Sequence, residues 1–426
     1  MEATRTQLAD GMYLTYLPAE KFKTSLLSAQ FVTPLRRETA AAYALLPAVL
    51  RRGTVSCPDM GALSARLDKL YGAHINYTVR KKGENQCVGF VASFLDDAFA
   101  PGGEPILEPA AGLLGELLLR PRLQDGIFAE EYVSGERANL VDRIRGQIND
   151  KRSYATLRLG QLMCGEEAFG VDKLGDVEHA AAVTPGSLWE RYQQLLSTAQ
   201  IELYYCGSAE EERVARALKE ALSALPVNEG RICPDCEVRL HAGPEPSMVE
   251  ESMDVTQGKL AMGFRTGGVT CWEEEYPAMA MCNAVFGGTT LSKLFMNVRE
   301  KLSLCYYASS TLEKMKGLIL VSSGIEFDKF QQARDEILHQ LEEIRQGNME
   351  DWEREGTRRT MIGAHLATLD VQDRQEDFWL GQTAAGLETG IEELVAQLEQ
   401  VTREQVAQAA QKLELDTIYF LKGTEG

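Results

Sequence analysis

Histidine is scarce in this chain, and its spacing says more than its number. The sequence holds five, His74, His179, His241, His339 and His365, and no two lie within a helical turn of each other. HExxH and HxxEH, the spacings that put two imidazoles and a glutamate on one helical face around a metal, are both absent. No local zinc-peptidase signature is present. Basic charge is also in deficit: 44 Lys and Arg against 63 Asp and Glu leave a formal net charge of −19. A nucleic-acid partner is therefore not expected, because phosphate binding needs clustered cations. No run approaches the roughly twenty apolar residues of a membrane helix. The opening MEATRTQLADGMYLTYL has no apolar core preceded by basic residues, so neither a membrane anchor nor a secretory signal is expected. The nine cysteines are odd in number and scattered through apolar runs. Reduced thiols and a cytoplasmic setting follow more naturally than a disulfide framework.

What is present is a soluble, globular composition, 44% hydrophobic and 25% charged over 426 residues, too long for one ordinary core. The chain also repeats itself. LLSAQFVTP is followed by a mostly apolar helix from Glu38 to Arg52, an amphipathic helix, and the strands INYTVRKK and QCVGFVASF. In the second half LAMGFRTGG is followed by a helix from Glu273 to Phe286, LSKLFMNVREKLSLCYYAS and GLILVSSGI. Each half closes alike, VTPGSLWERYQQLLSTAQIELYYCGS against VTREQVAQAAQKLELDTIYFLKGT: a Val-Thr cap, an amphipathic helix and a final strand. The repeat is too long for a solenoid. It predicts an α+β protein of two homologous domains, each an antiparallel sheet with helices packed on one side. Residues 1–225 form the first domain and 248–426 the second. The proline-rich segment 226–247 is the linker.

Several motifs have a plain account. Cys233-Pro-Asp-Cys236 is a lone CxxC in that linker, without the second pair a zinc ribbon needs. Gly287-Gly288 with Thr289 and Thr290 lacks the spacing and lysine of a phosphate loop and reads as a turn that brings a helix close to its neighbour. Glu130, Glu131, Glu136 and Asp142 share a long charged helix, where paired carboxylates can serve acid–base chemistry. With no histidine pair to join them they read as a solvated face. The stretch Phe286–Tyr307 is sharper. Leu291, Leu294, Phe295 and Val298 recur at helical spacing, and Arg299 and Tyr306 follow at the helix end and strand start. A guanidinium can hold a carbonyl or carboxylate bidentately and a tyrosine hydroxyl can add a donor. The ordinary alternative is a surface Arg paired with Glu300 or Glu313 and a core Tyr. Tyr307 adjoins Tyr306, and strand alternation sends the two to opposite faces.

The two-halved layout, together with Gly287-Gly288, Ser292-Lys293-Leu294-Phe295, Arg299-Glu300-Lys301 and Leu304-Cys305-Tyr306, resembles the pitrilysin/insulinase family of inverted-zincin peptidases, in its mitochondrial-processing-peptidase-like branch. The resemblance covers essentially the whole chain. It implies that Arg299 and Tyr306 are the family's substrate-holding pair. The first half departs from the pattern. Where active members carry HFLEHMLFKGT, this chain has Ala44-Leu45-Leu46-Pro47-Ala48-Val49-Leu50-Arg51-Arg52-Gly53-Thr54. The histidines become Ala44 and Ala48, the glutamate becomes Pro47, and the distal ligand position falls at Arg143. A proline inside a helix costs about 3 kcal/mol, and a kink is expected there. The resemblance implies a non-catalytic, substrate-binding subunit of a heterodimeric zinc peptidase. This chain then has no catalytic residue, metal or cofactor of its own, and a homologous partner carrying HxxEH supplies the zinc. An extended peptide is held in the shared chamber. Two other readings stay open: a structural or assembly protein, and a peptide-binding pseudoenzyme working alone.

Overall fold

The central strands are buried on both faces, which is why their sequences read as near-continuous apolar runs rather than alternating ones. The computed structural model describes residues 3–226 and 234–424. In the first half run β1 (Thr4–Ala9), β2 (Met12–Pro18), β3 (Thr24–Pro34), β4 (His74–Lys82), β5 (Asn85–Leu95), the two-residue partners β6 (Leu123–Gln124) and β7 (Ile127–Phe128), and β8 (Gln200–Gly207). Six of them form a sheet in the order β1-β2-β8-β3-β5-β4. In the second half β9 (Ser247–Met253), β10 (Gly258–Arg265), β11 (Cys305–Glu313), β12 (Leu318–Ile325) and β13 (Glu414–Gly423) form a five-stranded sheet in the order β11-β12-β10-β13-β9.

Without β1, the two sheets have one topology: β2, β8, β3, β5 and β4 correspond to β9, β13, β10, β12 and β11. Both are antiparallel except for one pair in each, β2 with β8 and β9 with β13, which runs parallel. The parallel pair joins an early strand to the strand that closes the half, and the whole α+β unit lies between them in sequence, as a parallel connection requires.

The helices of each half cover one face of its sheet, and one further helix lies on the other. The parity of the strands shows which side chains meet which layer. On β3, Leu27, Ala29 and Phe31 join the large core with the helices Arg37–Leu50, Leu107–Leu119 and Pro185–Thr198. The alternate residues Leu26, Ser28 and Val32 turn to the helix Gln372–Ala384, where Val32 packs with Leu380 and Ala384. On β10, Phe264 stacks edge-on against Phe286, 6.0 Å between centroids. The alternate Ala261 packs with Leu159 and Met163 of the helix Lys151–Met163. At Gly263 a side-chain carbon would sit 2.5 Å from the Met163 sulfur, so glycine leaves room for the methionine end where the helix packs on the sheet.

The two backing helices come from the wrong halves of the sequence. The compact units are Met1–Arg145, Val171–Asp235 and Val371–Glu388 in one, and Gly146–Gly170, Cys236–Asp370 and Thr389–Gly426 in the other. Each half thus gives to the other half's sheet a helix that precedes its closing strand by two further α-helices, at corresponding places in the repeat. Of the expected linker, residues 227–233 lie outside the described ones, including Cys233, and 234–246 form neither helix nor strand. No helix among the described residues is long and apolar enough to cross a membrane.

Buried charge pins each backing helix. In the second unit Arg265 and Lys316 are wholly buried. Glu167, just past the Lys151–Met163 helix, reaches Arg265 at 2.8 Å and Lys316 at 2.6 Å, and Asp416 closes on Arg265 at 2.7 Å. Burial alone would raise the Glu167 pKa, but the bonds from Arg265 and Lys316 outweigh it and hold the carboxyl below its ordinary 4.5. In the first unit Arg80 on β4 grips Glu376 through both guanidinium nitrogens, at 2.6 and 2.8 Å, and the Ser28 hydroxyl donates to the same carboxylate at 2.8 Å. Removing one member of such a set strands the others in a dry interior. Glu167→Gln should therefore cost about 3–5 kcal/mol in urea unfolding at pH 7. A lowered carboxylate stabilises fully above its unfolded value and loses that stabilisation as pH falls through its folded value. The difference between wild type and Glu167→Gln should accordingly shrink as pH is lowered below 4.5.

Candidate functional site

Phe286–Tyr307 folds as a close-packed turn, a wide helical stretch and the start of an edge strand. A side-chain carbon on Gly287 would lie 2.6 Å from the Ser310 backbone nitrogen on β11, so glycine here is a demand of packing. Leu294 and Val298 are fully buried and anchor the stretch Leu294–Lys301. It is wound more loosely than an α-helix: the Leu302 N–H donates five residues back, to the Asn297 carbonyl, at 3.0 Å. Such widened turns recur at functional sites. Arg299 sits on it with 38% of its side chain exposed, 4.5 Å above the Phe295 ring centroid and 3.3 Å from the Glu300 carboxylate. The chain then turns through Ser303 in the left-handed region, φ 49°, and enters β11.

A bulge opens β11. Cys305 pairs with Ile325 and Tyr307 with Gly324, so Tyr306 is an extra residue without a partner in the ladder. Alternation alone does not describe the two tyrosines, because a bulge re-aims the side chain it inserts. Tyr306 stands 67% exposed at the sheet edge. Tyr307 packs inward. The Arg152 guanidinium lies 4.1 Å from its ring centroid, its hydroxyl accepts from Ser322 at 3.5 Å, and burial raises its pKa. Arg299 and Tyr306 therefore lie on a helical stretch and an edge strand packed against each other, with Arg299 held by Glu300 and Phe295.

The aligned zinc positions are filled with packing groups. The helix Arg37–Leu50 runs on through Pro47, with the Arg51 N–H bonded to the Pro47 carbonyl at 3.1 Å. Proline forgoes one backbone bond without ending the helix. Ala44 is 2% exposed and Ala48 8%. Pro47 faces Phe31, Phe90, Leu118 and Tyr192 around a small void. Arg143 points to solvent on the helix Glu130–Gly146, and Glu136 of that helix pairs with Arg52 at 3.5 Å. Two alanines and a proline carry no ligand atoms and an arginine carries a cation, so this set does not fit a zinc ion. Among the described residues no three His, Cys, Asp or Glu side chains come together in a way that could hold a metal. Glu131 and Asp142 are exposed, Glu130 lies 3.9 Å from Arg137, and Cys236 is buried.

Sequence reasoning passed over Arg152 and Lys259, which flank Tyr307. The one signal for Arg152 is the basic pair after the Asp150 cap in NDKRSY, and nothing in the sequence joins it to Lys259 on β10 or to Tyr307 on β11. Restoring one aligned imidazole tests how tightly the Ala44 position is filled. Ala44→His should destabilise the chain by about 1–3 kcal/mol in urea unfolding, through overpacking.

Residues 182–361 match the family described as Peptidase M16 inactive domain. Along 98% of its length the chain is 36% identical to "Probable inactive metalloprotease YmfF" of Bacillus subtilis, covering 97% of that protein. Its fold superposes on a conserved protein of Enterococcus faecalis at a TM-score of 0.91, with 29% identity and full coverage of both chains. A peptidase M16 inactive domain from Pseudomonas fluorescens shares the fold at a TM-score of 0.80 and 17% identity, over 100% of this chain and 99% of that one.

Proposed function

Since the chain belongs to the peptidase M16 family, we propose that it is a non-catalytic, peptide-binding subunit of a zinc peptidase. Its partner is a homologous chain with HxxEH. The observation that carries this reading is the packed helix Arg37–Leu50, where Ala44, Pro47 and Ala48 stand at the aligned ligand and base positions and offer no donor atom. The description of its Bacillus subtilis relative as a probable inactive metalloprotease supports the same view.

The chemistry divides accordingly. The partner supplies the metal that polarises the scissile carbonyl and the base that activates water. This chain contributes position. Arg299, on its loosened helical stretch, offers guanidinium donors to a peptide carbonyl once it leaves Glu300. Tyr306, outside the ladder of β11, adds a hydroxyl. The free side of that edge strand can pair with an extended peptide backbone. Holding the peptide this way accelerates the partner's step without transferring a proton. The setting is cytoplasmic.

The purified chain alone should contain no stoichiometric zinc by metal analysis and cleave no peptide. With an HxxEH partner it should form a complex with peptidase activity. Arg299→Ala should lower kcat/KM of that complex about tenfold or more, the worth of a charge-assisted hydrogen bond. Chelator-sensitive cleavage by the lone chain would overturn the assignment. Unchanged activity with Arg299→Ala would leave the chain a scaffold, the structural reading of this fold.

A further inference from the structure

A cleft of about 580 Å³ lies between the start of the Lys151–Met163 helix and the β9–β10 connection, within one compact unit, and two of its lining residues, Arg152 and Lys259, lie against the Tyr307 ring. The charged groups facing it are Asp150, Lys151 and Arg152 from the helix side, and Asp254 and Lys259 from the other. Asp150 is already engaged. Its carboxylate caps the helix, accepting from the backbone N–H groups of Arg152 and Ser153, each at 3.1 Å, and from the Ser153 hydroxyl at 2.7 Å.

The two cations nearest the tyrosine have neutral partners. Arg152 lies over the Tyr307 ring and donates one bond, to the Ser309 hydroxyl at 3.1 Å. The Lys259 ammonium is 5.8 Å from the same ring centroid and donates to the Gln257 side-chain carbonyl. Burial and the nearby Arg152 charge push the Lys259 pKa below its ordinary value, with Asp150 pulling the other way. Two cations thus share one aromatic wall, and the nearest carboxylate, Asp150, spends its hydrogen bonds on the helix N-terminus rather than on either of them. In a chain of net charge −19, two cations whose hydrogen bonds go to neutral side chains are a local exception.

We propose that this cleft binds a carboxylate, gripped by Arg152 and Lys259 against Tyr307. A guanidinium lying on a ring keeps its edge N–H groups free for a planar carboxylate, and Asp150 and Asp254 disfavour a dianion such as phosphate. Tyr307 directly follows Tyr306 on the edge strand. The proposal rests on the peptide-binding reading and adds to it a substrate class: peptides that end, or carry an acidic side chain, near the residue held by Tyr306.

The experiment uses the full chain without partner and titrates it, by calorimetry at pH 7, with N-acetylated pentaalanine as the free acid and as the C-terminal amide. The acid should bind at least tenfold more tightly than the amide. Arg152→Ala and Lys259→Ala should each erase that preference, with thermal unfolding midpoints at the wild-type value as the control for folding. A third peptide, the amide ending in glutamate, assigns the source under the proposal: acid-like affinity extends the site to acidic side chains, and amide-like affinity restricts it to chain ends. Equal affinity of acid and amide for the wild-type chain, or a preference that survives in the Arg152→Ala, Lys259→Ala double variant, would overturn it. Because no partner is present, these outcomes are read separately from partner-dependent peptidase activity.

Discussion

A sheet with apolar residues on both faces needs a wall on both sides, and in this protein the second wall of each sheet is borrowed. The helices Lys151–Met163 and Gln372–Ala384 each come from the half of the sequence whose sheet they do not cover. Both are fixed by buried ion pairs, Glu167 with Arg265 and Lys316, and Glu376 with Arg80. Charges this deep add little net stability against a well-packed apolar alternative. Their value is selective: a helix that brings a carboxylate to a buried cation has one register in which the charge is met. The charges therefore fix the placement of the backing helix, and apolar burial supplies most of the free energy.

The edge strand β11 depends on that arrangement. The Lys151–Met163 helix covers one face of β10, β12 and β13, and Arg152 near its start lies over Tyr307 at the β11 edge. The same helix that completes the sheet thus settles the inward tyrosine, while the bulge at Tyr306 leaves its neighbour outside the ladder. A rigid inner ring and an exposed outer one, adjacent in sequence, give the edge a fixed base and a free contact residue.

Much of this was legible in the sequence because the repeat preserved strand order. LAMGFRTGG against LLSAQFVTP and the shared Val-Thr closing segments were enough to infer two like α+β units. The helical spacing of Leu294 and Val298 located the stretch bearing Arg299. The helix exchange was not legible, since amphipathic helices of either half read the same whichever sheet they meet; Arg265 stands out within the apolar run LAMGFR, but its partner Glu167 and the buried Glu376 lie in polar segments. The bulge at Tyr306 was equally hidden: it depends on how β11 registers against β12, and no local signal in LSLCYYASS announces it. The cleft at Arg152 combines segments far apart in sequence, which periodicity cannot join.

The borrowed walls also set an order on biosynthesis. A ribosome completes every strand of the first sheet once Gly207 is made, yet one face stays bare until Gln372–Ala384 has emerged. The nascent first half therefore carries an open hydrophobic surface through most of the synthesis of the second. Domain-by-domain maturation, the usual route of long chains, would leave the first sheet without its second wall. The first compact unit is complete only when residues from both halves of the sequence are present.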